Sequence, residues 1–390
     1  LGMHARADNP ELIRARDLKL KIFSYPEFLY EQSVNKTRVV IGGSHGKTTI
    51  TAMILHALAQ TGIDSDYMVG AKLEGYEVMV RLSEKAPFMV MEGDEYLSSP
   101  LDRRPKFHLY HPHIALISGI AWDHINVFPS FDNYVEQFRL FVRSCEPGAK
   151  IIYCADDEHV KRVCREEQRP DMQWLPYDVP DYQDMGTHTW LMHNNQAFCL
   201  KIFGRHNMLN LEGARLVRHQ MGMAAESFYR AMESFQGASR RLEMIYQDKE
   251  TSVYRDFAHA PSKVRATVEA AREHHPGEQL IACLELHTFS SLNRAFLQQY
   301  QGSLEKADHR LVFFSPKALL HKKLPELDPR EVSRAFGLPE VRVFTAYREL
   351  QQAVQDIQKD IQARKAVLLL MSSGNFEGLT PFDFLIKKAE

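Results

Sequence analysis

A short β-branched run, Val39-Val40-Ile41, enters the turn Gly42-Gly43-Ser44-His45-Gly46. The turn ends in Lys47-Thr48-Thr49 and passes into an apolar-periodic segment, Ile50 to Leu58. Strand, glycine-rich turn, Lys-Thr-Thr and helix, in that order, form a phosphate-binding loop on an open α/β sheet. Glycine lets backbone N–H groups come close to phosphate oxygens, and the helix N-terminus adds partial positive charge. Lys47 is placed to meet β- and γ-phosphates, and the Thr48 hydroxyl to meet Mg²⁺. The standard loop has a glycine five residues before Gly46, where Ile41 stands. The form here is the shorter Gly43-x-x-Gly46-Lys47-Thr48-Thr49.

The segments around this loop alternate in the same way. Arg38–Ile41, Pro87–Met91, Ile114–Ser118 and Ile151–Cys154 are apolar enough to be parallel strands covered on both faces. A helix is expected over Tyr134–Cys145 with Asn133 as its cap. The pattern predicts a P-loop-type, doubly wound α/β domain over residues 36–235. A second, smaller Rossmann-like α/β domain follows over 236–390. Its expected strands are Val253–Asp256, Leu280–Leu284, Leu311–Phe314, Val343–Phe344 and Ala366–Met371, with a helix over Pro261–Arg272.

Ligands of doubly wound sheets sit beyond the carboxyl ends of the strands. Glu92-Gly93-Asp94-Glu95 follows the second strand, and Asp123-His124 comes shortly after the third. A carboxylate of this run and the His124 imidazole, near the phosphate loop, are placed to complete Mg²⁺ coordination, with Asp123 orienting its neighbour. His124 is the unusual member, because Mg²⁺ prefers oxygen.

Composition narrows the class by exclusion. Of 390 residues, 48 are basic and 50 acidic, a net charge of -2 that leaves no electrostatic footprint for nucleic acid. No apolar run reaches the roughly 18 residues of a membrane helix. Five cysteines without metal-ligand spacing fit reduced thiols in a cytoplasmic protein.

Six stretches in a fixed order resemble the Mur ligases. They are Gly43–Thr49, Glu92–Glu95, Asp123-His124, Gly204-Arg205-His206-Asn207-Met208-Leu209-Asn210, Gly237–Glu243 and Asp256-Phe257-Ala258-His259-Ala260-Pro261. The resemblance implies ATP-dependent ligation through an acyl phosphate. Gly43, Ser44, His45, Gly46, Lys47, Thr48 and Thr49 would cradle the phosphates. Asn207 and Asn210 would face the adenine side. Arg241, Asp256 and His259 would approach the nucleotide from the second domain. Lys47, His124 and Arg241 would carry the catalysis, with Thr48, Glu92 and His124 on Mg²⁺.

Departures from the family pattern narrow the branch. Phe131–Gly148 has no lysine, whereas several Mur ligases carry a carbamylated one there. Asn126 and Ala260 stand where Asp and His are common. The missing lysine resembles the muramate-directed branch, whose acceptor is the lactyl carboxylate of UDP-N-acetylmuramate, whereas the other two changes bear on groups around the site. The run Met371-Ser372-Ser373-Gly374-Asn375 resembles that of family members that take a peptide amine, which implies L-alanyl-γ-D-glutamyl-meso-diaminopimelate, as in peptidoglycan recycling. L-alanine, as in peptidoglycan biosynthesis, is the alternative. A nucleotide-binding regulatory module without ligase activity is the alternative of another class. Residues 1–35 are expected to be the remnant of an N-terminal UDP-binding domain and its linker, with Asn9-Pro10-Glu11-Leu12 opening a helix. No nucleic-acid or membrane partner is expected, and the sequence leaves the oligomeric state open.

Overall fold

Val39, Val40 and Ile41 are fully buried, as a central parallel strand requires. In the computed structural model, which describes residues 1–3, 5–73, 75–361 and 365–385, they form the middle of β1 (Thr37–Gly42). His4, within the N-terminal stretch read above, lies outside the described residues. The other strands of this sheet are β2 (Ser65–Met68), β3 (Val80–Arg81), β4 (Phe88–Glu92), β5 (Ile114–Ile117), β6 (Lys150–Cys154) and β7 (Gln173–Tyr177). Their order is β3-β2-β4-β1-β5-β6-β7, parallel except for the β2–β3 pair. The chain leaves β1 towards β2 and β4, then crosses to β5 on the other side. That reversal puts a topological switch point at the carboxyl end of β1. Ile41 pairs with Glu92 and Gly42 with Ile117, so the loops after β4, β1 and β5 leave the sheet at one edge.

The helix Lys47–Gln60 follows β1 directly. Its N-cap, Gly46, has φ +70°, a left-handed conformation that suits glycine. A Cβ there would also lie 2.0 Å from Asn210 Oδ1, so both backbone and packing demand glycine. The helix Phe131–Arg143 buries Tyr134, Val135, Phe138, Phe141 and Val142, a stripe at helical spacing. Asn133 is not its cap. The Ser130 hydroxyl accepts from Asn133 N–H (3.2 Å), which sets the start three residues earlier.

The chain divides into two units. One comprises Leu1–Asp181, Leu191–Leu200 and Asn207–Phe235; the other Tyr182–Trp190, Lys201–His206 and Gln236–Glu390. β8 (Tyr182–Asp184), β9 (Thr189–His193) and β10 (Gln196–Leu200) make a separate three-stranded sheet. The second unit holds β11 (Glu243–Gln247), β12 (Thr251–Asp256), β13 (Gln279–Leu286), β14 (His309–Phe314), β15 (Val341–Phe344) and β16 (Ala366–Met371). They form one sheet in the order β11-β12-β16-β13-β14-β15, parallel except at the β11 edge. Its core joins Val253, Ile281, Cys283, Leu368 and Leu370 to Leu350 and Val354 of the helix Tyr347–Asp360. Among the described residues, no helix is long and apolar enough to cross a membrane.

Candidate nucleotide site

The first backbone bond of the helix Lys47–Gln60 runs from Ile50 N–H to Gly46 O (2.8 Å). The amides of Lys47, Thr48 and Thr49 therefore precede the intrahelical ladder and face out of its positive end. Gly43, with φ +123°, turns the chain where a Cβ would lie 2.2 Å from Ser118 Oγ. Ser118 in turn donates to the carbonyl oxygens of Gly42 (3.3 Å) and His45, tying the loop to the end of β5.

Lys47 Nζ donates to Gly43 O (2.6 Å) and to Glu95 Oε2 (2.6 Å). Burial works against the ammonium charge, but Glu95, then Asp94 and Glu92, outweigh it and hold Lys47 above the ordinary lysine value. Lys47 is thus charged throughout the neutral range. Thr48 Oγ1 donates to Glu92 Oε2 (3.1 Å), while Gly70 N–H donates to Glu92 Oε1 (2.9 Å). A hydroxyl and a buried carboxylate therefore share one point at the helix N-terminus, a donor set suited to Mg²⁺. His124 takes φ +54° in the loop after β5, and its backbone N–H donates to Asp123 Oδ1 (2.7 Å). The His124 ring reaches Glu95, with Nε2 3.8 Å from Oε1, so His124 and Lys47 flank the same carboxylate. Among the described residues, no group of three or more His, Cys, Asp or Glu is gathered on a metal position.

The remaining expected residues fall into two groups. Asn207 and Asn210 are buried in the helix Arg205–Gln220, with Asn210 against Gly46. In the second unit, Asp256 ends β12 and accepts from Leu242 N–H (2.5 Å) and Ala258 N–H (2.5 Å). Burial raises the Asp256 carboxyl above its usual value despite those donors and Arg241. The Arg241 guanidinium lies over the Phe257 ring (4.7 Å) and donates to Arg240 O (3.0 Å). His259 Nδ1 bonds Phe257 O (2.8 Å).

Two features had no assigned role in the sequence reading. One is Glu95, whose run was noted without its pairing to Lys47. The other is a turn built on Glu285 at the end of β13. Glu285 accepts from Ser372 Oγ and from Phe376 N–H (2.9 Å), while His287 Nδ1 stands 3.6 Å away. Beside this turn is a cavity of about 180 Å³, with Arg240, Arg255, Ser372 and Asn375 on its wall. Burial raises the thiols of Cys145, Cys154, Cys164 and Cys283.

Residues 41–217 match the Mur ligase middle domain, and residues 240–374 match the Mur ligase glutamate ligase domain. The UDP-N-acetylmuramate–L-alanine ligase of Desulfitobacterium hafniense is 30% identical over 315 residues, 78% of this chain and 68% of that protein. The chain belongs to the Mur ligase family. As a Mur ligase it is an ATP-dependent enzyme of peptidoglycan synthesis that forms an amide bond. A second relative is the Haemophilus influenzae UDP-N-acetylmuramate–L-alanyl-γ-D-glutamyl-meso-2,6-diaminoheptandioate ligase. It is 28% identical over 297 residues, 73% of this chain and 65% of the relative. Two solved structures share the fold of this Mur ligase. The Psychrobacter arcticus murein peptide ligase superposes with a TM-score of 0.63 at 22% identity, covering 96% of this chain and 82% of its own. The Thermotoga maritima UDP-N-acetylmuramate–alanine ligase gives 0.69 at 20% identity, covering 96% and 81%.

Proposed function

We propose that this Mur ligase joins the lactyl carboxylate of UDP-N-acetylmuramate to the amine of L-alanyl-γ-D-glutamyl-meso-diaminopimelate. The observation that carries the nucleotide half is the convergence of Lys47 and the Thr48–Glu92 pair at one helix N-terminus. In this reading a carboxylate oxygen attacks the γ-phosphorus of ATP, ADP leaves, and an acyl phosphate forms. The amine then attacks the acyl carbon and loses a proton as inorganic phosphate departs. Lys47 neutralises charge on the transferred phosphoryl group, and the loop amides hold its oxygens. Thr48, Glu92 and His124 would hold Mg²⁺, which supplies further charge neutralisation on the phosphates. Asn207 and Asn210 are assigned to the adenine side, and Arg241, Asp256 and His259 to nucleotide binding.

The cavity beside the Glu285 turn favours the peptide as amine donor. Arg240 and Arg255 line it together with Asp256, although Arg255 also pairs with Glu243 (2.9 Å). L-alanine carries one carboxylate, whereas the peptide carries several, so two cations suit the peptide better. The second reading, L-alanine as the amine, is favoured by the 30% identity to the Desulfitobacterium hafniense ligase. The two separate in one assay of the full chain with ATP, Mg²⁺ and UDP-N-acetylmuramate, offering L-alanine and the tripeptide in parallel. The proposal expects ADP release to follow the tripeptide. Product formed with L-alanine alone would overturn it.

A further inference from the structure

We propose that Tyr134 and Glu95 form a positioning pair that holds Lys47 ready for the nucleotide phosphates. The inference rests on the phosphate-loop reading of Gly43–Thr49 and adds residues outside that loop. Tyr134 is fully buried in the helix Phe131–Arg143, packed between Phe128 (5.4 Å between ring centroids) and Phe138 (5.3 Å). A phenylalanine would fill that space equally well, so packing does not explain the hydroxyl. The hydroxyl lies 2.8 Å from Ser44 Oγ and donates to Glu95 Oε1 (3.0 Å). Ser44 Oγ also accepts from Ala121 N–H (2.9 Å), in the loop after β5. The other oxygen of Glu95 accepts from Lys47 Nζ (2.6 Å). One phenol thus connects the phosphate loop, the loop after β4 and the lysine ammonium.

The physical consequence is preorganisation. A lysine side chain has several rotatable bonds, and fixing them when a ligand arrives costs rotamer entropy. Glu95, pinned by Tyr134 and buried, fixes the ammonium before the phosphates bind. Burial pushes the Tyr134 phenol well above its ordinary value, so it stays a donor across the working pH range.

Tyr134→Phe removes only the hydroxyl. Binding of MgATP and of AMP to the full chain, measured by calorimetry, separates positioning from a general structural role. MgATP should bind about five- to tenfold more weakly, the scale of one ordinary hydrogen bond. AMP, which lacks the phosphates Lys47 serves, should stay within about twofold. In a Lys47→Gln background the same substitution should cause no further loss of MgATP affinity. Glu95→Gln, which keeps the side-chain shape but removes the charge that joins the phenol to the ammonium, gives the same comparison should Tyr134→Phe fold poorly. Equal weakening of both nucleotides, unchanged or tighter MgATP binding, or a full additional loss in the Lys47→Gln background would overturn the proposal. A wild-type chain that binds neither nucleotide would overturn the phosphate-loop reading, and this pair with it.

Discussion

Lys47→Ala is expected to lower ATP turnover by roughly 10²-fold or more, the cost of losing one preorganised charge at a transferring phosphoryl group. It is also expected to cost stability. Glu95 is almost wholly buried, and without Lys47 its carboxylate keeps the Tyr134 hydroxyl (3.0 Å) and, at 3.8 Å, the His124 ring. A buried charge stripped of its partner destabilises by about 3–5 kcal/mol. Combining Lys47→Ala with Glu95→Gln removes that charge, so the double variant should regain most of the thermal stability and none of the turnover. Chemical or thermal unfolding, run beside a phosphate-release assay, separates the two effects. A single variant that turns over normally, or a double variant that regains turnover, would count against Lys47 as the phosphate-binding group.

Glu92→Gln should give the second large effect. The substitution keeps the shape and an oxygen for Gly70 N–H but removes the negative charge beside Thr48. Loss of metal-supplied charge stabilisation should lower turnover by roughly 10²-fold, several kcal/mol at the transition state. The Mg²⁺ concentration for half-maximal rate should rise as well. A variant whose Mg²⁺ dependence matches that of the wild-type chain would remove Glu92 from the metal site.

The phosphate loop was readable because its whole signal is local. Val39 to Leu58 carries the strand, the glycines, the lysine and the helix in one contiguous run. The inner strands of both sheets were readable as well, since β1, β4, β13 and β16 are apolar runs buried along nearly their whole length. β2 was not, because Ser65-Asp66-Tyr67-Met68 does not read as apolar even though all four residues are buried. Asp66 is held there by Lys36 and by Ser83 N–H (3.0 Å), partners that no periodicity reports. β7 lies at the sheet edge and leaves much of Gln173–Tyr177 exposed, so its pattern is equally faint. The cap of the helix Phe131–Arg143 was ambiguous because Ser130 and Asn133 are both capping residue types. The network behind Lys47 was invisible for a different reason. Tyr134 meets Glu95 across 39 positions and Ser44 across 90, so in sequence it reads as one more apolar member of a helix stripe.

The measurement that bears most directly on the account follows one oxygen atom. UDP-N-acetylmuramate labelled with ¹⁸O in its lactyl carboxylate is ligated by the full chain with ATP, Mg²⁺ and the amine, and the released phosphate is analysed by mass. Transfer of the γ-phosphoryl group to the carboxylate predicts ADP as the nucleotide product and one ¹⁸O in each inorganic phosphate. Phosphate free of ¹⁸O, or AMP and pyrophosphate in place of ADP and phosphate, would contradict an acyl phosphate made at the Lys47 loop.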